Sequence, residues 1–200
     1  MVAYAVSSMI GEFVQLFFLY VVILDPFMSF ASFLSLTRKL ADDKRRSIAI
    51  LATLLAGVLL AIVLFSGTAM LDMFSIKLAD FKIAGGIVLA LLGVRTVMGL
   101  DMGAAKKENS VAAISTIIAT PLITGPAAIM TTILSVSQHG MLLTGFSAGA
   151  ALFVVFLALF FATYLSRFFG KSSVVILSTL MGLVTLAWGV AFIRQGILGI

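Results

Sequence analysis

The pair Asp25-Pro26 stands inside an apolar run that extends from Ile10 to Leu36. Proline within a helix removes a backbone hydrogen bond and clashes with the preceding turn. The run is about 27 residues, or roughly 40 Å as one straight helix, where a single membrane crossing needs about 20 residues. Two shorter helices meeting at Pro26 satisfy the pattern better than one long helix. A carboxylate is thereby placed at a helix break in an apolar setting.

The setting follows from charge. Of 200 residues, 62% are hydrophobic and 10% charged, against roughly 25% charged in a soluble domain. So few charges cannot cover a water-facing surface, and the lipid bilayer is the expected solvent. The absence of cysteine excludes a disulfide framework and thiolate metal sites. No cofactor and no metal are expected. The formal net charge of +5 is carried at segment ends and not on a basic face, so nucleic acid is not an expected partner. The first apolar run has no basic flank and no cleavage-site spacing, so it is expected to persist in the mature protein.

Six spanning segments account for most of the chain. They run from about Ile10 to Leu36, Ser47 to Gly67, Phe81 to Leu100, Val111 to Val136, Met141 to Leu165 and Val174 to Ile193. Thr68 to Lys82 mixes charged and apolar residues and reads as an interfacial loop or short amphipathic turn. A polar loop from Asp101 to Ser110 is the natural midpoint. Ten of the thirteen basic residues fall on one side of this arrangement: Arg38, Lys39, Lys44, Arg45, Arg46, Arg95, Lys106, Lys107, Arg167 and Lys171. Lys77, Lys82 and Arg194 fall on the other. Basic loops stay in the cytoplasm, so the reading is a multi-pass protein of the cytoplasmic (inner) membrane with both termini outside.

The chain also repeats weakly. A shift of one hundred lays Pro26, Leu34 and Ser35 over Pro126, Leu134 and Ser135. A shift of ninety-six lays Gly86, Val88, Gly93 and Val94 over Gly182, Val184, Gly189 and Val190. All three prolines, Pro26, Pro121 and Pro126, fall in segments 1 and 4. The unit is three segments, an odd number, so the second copy enters the membrane from the opposite side. The expected fold is an all-α membrane protein, a 3+3 inverted-topology repeat with segments 1 and 4 discontinuous. Residues 1–104 form the first three-helix repeat and residues 105–200 the second, within one membrane domain.

Paired interrupted segments in inverted halves point to a transporter binding site. Irregular backbone at membrane depth is tolerated only where protein or a cavity surrounds it, so the breaks should face one another. The half-helices starting near Phe27 and Ala127 would offer N–H donors to a carboxylate. Carbonyls near Ile23 and Leu122, with the Asp25 carboxylate, would suit an ammonium group. Ser29, Thr120 and Thr124 add hydroxyls. The candidate substrate site is therefore Asp25, Pro26, Phe27, Met28 and Ser29 with Thr120, Pro121, Thr124, Gly125, Pro126 and Ala127. The ligand it suits is a small zwitterionic amino acid.

Two roles stay open for Asp25. Aspartate before proline is an ordinary helix N-cap, and an ionisable residue inside a span is also a candidate carrier of a coupling proton. Gly85, Gly86, Gly93, Gly182 and Gly189 read as helix-packing positions, and Gly145 to Gly149 as a packing motif within the bundle. Glu12 is expected at the interface, and His139, the single histidine, in a short outer loop.

Taken together, these residues resemble the MarC family of six-helix membrane proteins. The likeness rests on Leu24-Asp25-Pro26 with Phe33 and Leu36-Thr37, and on Phe81 to Gly86 with Gly93. It extends through Pro121 with Thr124-Gly125-Pro126, Met181-Gly182, Gly189-Val190 and Gly196-Ile197. The resemblance implies a secondary transporter for glycine, alanine and similar small neutral amino acids, dependent on the proton gradient, like related amino-acid exporters. The chain departs from the family pattern at Met28, Ala31 and Ala127, where many members carry glycine, proline and glycine. The larger Met28 and Ala127 bear on pocket shape and so on substrate. An exporter of larger amphipathic compounds and a non-transporting scaffold are the alternatives. An enzyme is not expected: there is no HExxH motif and no second intramembrane aspartate to pair with Asp25. The sequence does not set the oligomeric state.

Overall fold

The computed structural model describes residues 2–99, 110–166 and 171–199, with side chains from Met9 onward except those of Thr68, Pro121, Leu122 and Lys171. Every regular element among the described residues is helical. The midpoint loop, with Lys106, Lys107 and the 104/105 boundary, lies outside them, as does Arg167.

Helix α1 (Val2–Leu24) ends one residue before Pro26, and α2 (Pro26–Thr37) begins on that proline. Proline is favoured at this first helical position, where its missing N–H is not needed. Asp25 between them has φ 35° and ψ 80°, a left-handed conformation that aspartate adopts more readily than most residues. Helix α3 (Asp42–Met73) follows after a turn held by Arg45. Its Nε donates to Thr37 O at 3.1 Å and its Nη2 to Arg38 O at 3.1 Å. The guanidinium thus donates to two carbonyls at the end of α2, of which Thr37 O also accepts from Leu40 N at 2.9 Å.

The stretch from Thr68 to Lys82 is mostly helix rather than loop. Helix α3 continues to Met73 and α4 (Leu78–Val97) starts at Leu78, leaving a four-residue turn with Ser75 at φ 55°. Nothing between Thr68 and Met73 breaks a helix: the stretch has no proline and no glycine. Asp80 sits in the first turn of α4, where a negative charge favours helix initiation.

Helix α5 (Val111–Ile117) is capped by Ser110, whose Oγ accepts from Ala113 N at 3.2 Å. A π-helical turn (Ile118–Ile123) leads to α6 (Pro126–His139). Gly140, at φ 80°, joins α6 to α7 (Met141–Phe160). A short α8 (Ala162–Leu165) follows, then α9 (Lys171–Leu198).

Among the described residues, four stretches are long and apolar enough to cross a membrane: Met9–Thr37, Asp42–Gly67, Met141–Phe160 and Ser172–Leu198. The other two expected segments do not qualify on length and composition, for visible reasons. Helix α4 carries Asp80, Lys82 and Arg95 within 20 residues, and the fourth segment is divided between α5 and α6. Large apolar side chains face outward along the molecule, among them Phe65, Leu91, Phe146 and Ile176. In water such a surface would be an association hazard; in lipid it is solvated.

The main core gathers Tyr20, Leu24, Phe33, Ile48, Ile118 and Val155 from α1, α2, α3, the π-helical turn and α7. A second, smaller cluster joins Leu89 of α4, Ala127 and Leu134 of α6, and Phe192 of α9. Helices α4 and α9 run antiparallel in close contact. A Cβ at Gly86 would meet Gly189 O at 2.5 Å, and one at Gly189 would meet Gly86 O at 2.7 Å. The same closeness holds at Gly93 against Gly182 O (2.7 Å) and at Gly196 against Ala79 O (2.6 Å). Small residues let backbones approach this closely in lipid. Gly85 faces elsewhere, toward Met130 of α6. On α7, Gly145 approaches Leu64 of α3, whereas Gly149 faces open space.

Candidate functional site

At the first break the Asp25 side chain caps α2. Its Oδ1 accepts from Phe27 N at 3.2 Å and Met28 N at 3.0 Å. Its Oδ2 accepts from Ser178 Oγ of α9 at 2.6 Å. Ser29 Oγ donates to Leu24 O at 3.1 Å, closing off a carbonyl at the end of α1. The donors that open α2 are therefore taken by Asp25, and the polar side chain this break contributes is the Asp25 carboxyl group.

The second break is built differently. Thr120 has extended dihedrals (φ −140°, ψ 115°) inside the π-helical turn. Thr124 folds back, its N and Oγ1 both donating to Ala119 O, at 2.9 and 2.6 Å. Gly125 is extended (ψ 176°), Pro126 opens α6, and no side chain caps this end among the described residues. The first N–H groups of a helix have no intrahelical acceptor and carry the positive end of its dipole. One break thus offers a carboxylate and the other a helix N-terminus.

The two breaks line one cavity of about 100 Å³. From the first come Ile23, Asp25, Met28 and Ser29, and from the second Gly125, Pro126 and Ala127. Helix α4 adds Leu92 and Thr96, and α9 adds Gly182 and Thr185. Among the described residues, Asp25 is the one ionisable side chain in the lining.

Other sequence-selected residues lie apart from the cavity. Pro26 is buried and Phe27 packs on the main core. Thr120 is exposed, and Thr124 is buried with its hydroxyl turned to Ala119. Pro121 lies in the π-helical turn, its side chain outside the described part. Conversely, Thr96, Ser178 and Thr185 were not singled out from the sequence. Thr96 and Thr185 each donate to the carbonyl four residues back, an ordinary pattern for helical threonine, and only tertiary packing brings them here. His139 ends α6, with Nδ1 3.4 Å from Glu12 Oε2 of α1.

Comparison with known proteins gives one consistent result. The family model described as MarC family integral membrane protein matches residues 10–200. The UPF0056 membrane protein of Archaeoglobus fulgidus is 30% identical over 201 residues, covering 96% of this chain and 92% of the relative. The UPF0056 membrane protein YhcE of Escherichia coli is 31% identical over 179 residues, covering 84% and 83%. The Aquifex aeolicus UPF0056 membrane protein is 29% identical over 201 residues, covering 92% of each. No solved structure matches the chain at a significant level.

Proposed function

The chain belongs to the MarC family of integral membrane proteins, and from that premise we propose that it is a secondary transporter of small neutral amino acids. The observation that carries this reading is the shared cavity, with a carboxylate on one wall and a helix N-terminus on another. An amino acid has the complementary ends. Its ammonium group lies toward Asp25 and the carbonyls ending α1, and its carboxylate toward Ala127 and Ala128 at the start of α6. About 100 Å³ admits glycine or alanine and is far below the ~300 Å³ or more of pockets that take drug-sized ligands. The size of the cavity therefore favours the small-solute reading over an exporter of larger amphipathic compounds.

The transporter works by alternating access, and its energy comes from the proton gradient. Asp25 is the coupling group in this reading, because among the described residues it is the one ionisable side chain lining the cavity. Six crossings in a 3+3 inverted repeat fit the described helices when α1 with α2 and α5 with α6 each make one interrupted crossing. Gln15 of α1 and Gln195 of α9 line a common cavity near one end of the molecule, as an even number of crossings requires. Arg45, in the first turn of α3 with its Nη1 donating to Thr163 Oγ1, belongs to the basic cluster between the first two segments that this reading assigns to the cytoplasm of an inner-membrane protein.

Counterflow tests the proposal. Proteoliposomes holding this chain alone, preloaded with unlabelled glycine, are expected to take up labelled glycine in saturable fashion. Alanine and serine should compete; bulky cationic drugs should not. Competition by the drugs alone would favour the amphipathic exporter. No exchange of any solute by folded protein would favour the scaffold.

A further inference from the structure

A second polar cavity lies nearer the Glu12–His139 end of the molecule. It has a volume of about 110 Å³ and is lined by Gln15, Ser135, Gln138, His139, Trp188 and Gln195, together with Leu134 and Phe192. Amides, a hydroxyl, an imidazole and an indole make it hospitable to a small polar solute. It shares no lining residue with the central cavity. The smaller apolar cluster of Leu89, Ala127, Leu134 and Phe192 links the two linings. Ala127 belongs also to the central lining, and Leu134 and Phe192 belong also to the outer lining. Leu89 lines neither cavity and is 0% exposed within the cluster.

We infer that Leu89, Leu134 and Phe192 form an apolar gate, and that the outer cavity is an access vestibule from which a small polar solute reaches the central site. The inference rests on the transporter reading of that site. A dry cluster of three large side chains is a high barrier to a zwitterion, because moving charge into an apolar space is costly. The gate is divided between two bodies. Leu89 and Phe192 stand on α4 and α9, which the glycine contacts at Gly86, Gly93 and Gly189 hold together. Leu134 stands on α6. Movement of the α4–α9 pair against α6 withdraws two of the three side chains at once. The three are packed apolar groups with no hydrogen bonds to break, so shear between the helices suffices to part them.

The absence of cysteine from the chain makes the test clean. Single cysteines replace Gln138 in the vestibule and Thr185 in the central cavity, in the full chain in sealed vesicles. A membrane-impermeant thiol reagent is added on the side from which the Gln138→Cys protein reacts. Thr185→Cys should react far more slowly from that side. Adding Leu89→Ala should raise its rate about tenfold or more by favouring the open state, and Leu134→Ala should do the same. Gln138→Cys should be unchanged by either. Equal rates at the two cysteines in the unaltered gate would overturn the inference. So would an unchanged Thr185→Cys rate with both alanine variants. No solute takes part in the assay, so a protein that fails counterflow can still show the gate, and the two failures are told apart.

Discussion

Ser178 Oγ donates to Asp25 Oδ2 at 2.6 Å, joining α9 near one end of the chain to the helix break near the other. The bond connects residues 153 positions apart, and it engages the carboxylate oxygen that does not cap α2. Asp25 therefore has two separable duties, one oxygen for each.

Replacing Asp25 separates them. Asparagine keeps an oxygen for Phe27 N and Met28 N and tolerates the left-handed backbone. Asp25→Asn is expected to lose less than about 1 kcal/mol, and Asp25→Ala about 2 kcal/mol, from the lost cap and the charged hydrogen bond. Denaturation of the purified protein in detergent measures both. If the carboxylate carries the coupling proton, Asp25→Asn folds but loses gradient-driven flux and its pH dependence. Retention of both would reduce Asp25 to a cap.

The α4–α9 contact should be intolerant of a single methyl group. Gly86→Ala places a Cβ 2.5 Å from a backbone oxygen and 2.8 Å from a backbone nitrogen, that of Ile193, neither of which can turn aside. Overpacking of this kind costs about 1–3 kcal/mol. Gly149→Ala, on the open side of α7, should instead be neutral or stabilising by about 0.5–1 kcal/mol, since alanine is the better helix former. Gly86→Ala should lower the melting temperature, and Gly149→Ala should leave it unchanged or raise it.

Arg45 holds the end of α2 through two carbonyls at once, those of Thr37 and Arg38. Lysine cannot reproduce that fork. Arg45→Lys and Arg45→Ala should both lower stability, the alanine variant by about 1.5 kcal/mol, a low-end value for a charged hydrogen-bond donor that is partly solvated. Proteolysis at the α2–α3 turn, compared between variants, detects the loosened end directly.

Met28 and Ala127, two of the three departures from the family pattern, both line the central cavity. Met28→Gly and Ala127→Gly should enlarge it. Competition in counterflow should shift toward larger neutral amino acids, with serine gaining relative to glycine. Each substitution also weakens a helix start by up to about 1 kcal/mol, so expression is compared alongside.

The legible parts of the molecule were those governed by local chemistry. Aspartate before proline is a cap signature wherever it occurs, and the bonds from Phe27 N and Met28 N to Asp25 follow from it. Gly125-Pro126 likewise marks the start of α6. Helix extent was less legible: the charged residues of Thr68 to Lys82 suggested a loop, yet without a breaker α3 ran on to Met73. At the site, hydroxyls were visible as residue types but their directions were not. Thr124 turned to Ala119 and Thr120 to the exterior, while Ser178 supplied the hydroxyl that reaches Asp25. That bond depends on how α9 docks beside the break, which no local spacing encodes.

The central claim is that the two breaks together recognise both ends of one small zwitterion. Calorimetric titration of the purified protein with glycine, and separately with acetate and with methylammonium, addresses it most directly. The account predicts saturable heat with glycine and at least about tenfold weaker binding of either fragment, a loss of about 1.4 kcal/mol or more. Binding of methylammonium or acetate as tight as that of glycine, or no glycine binding by folded protein, would contradict it.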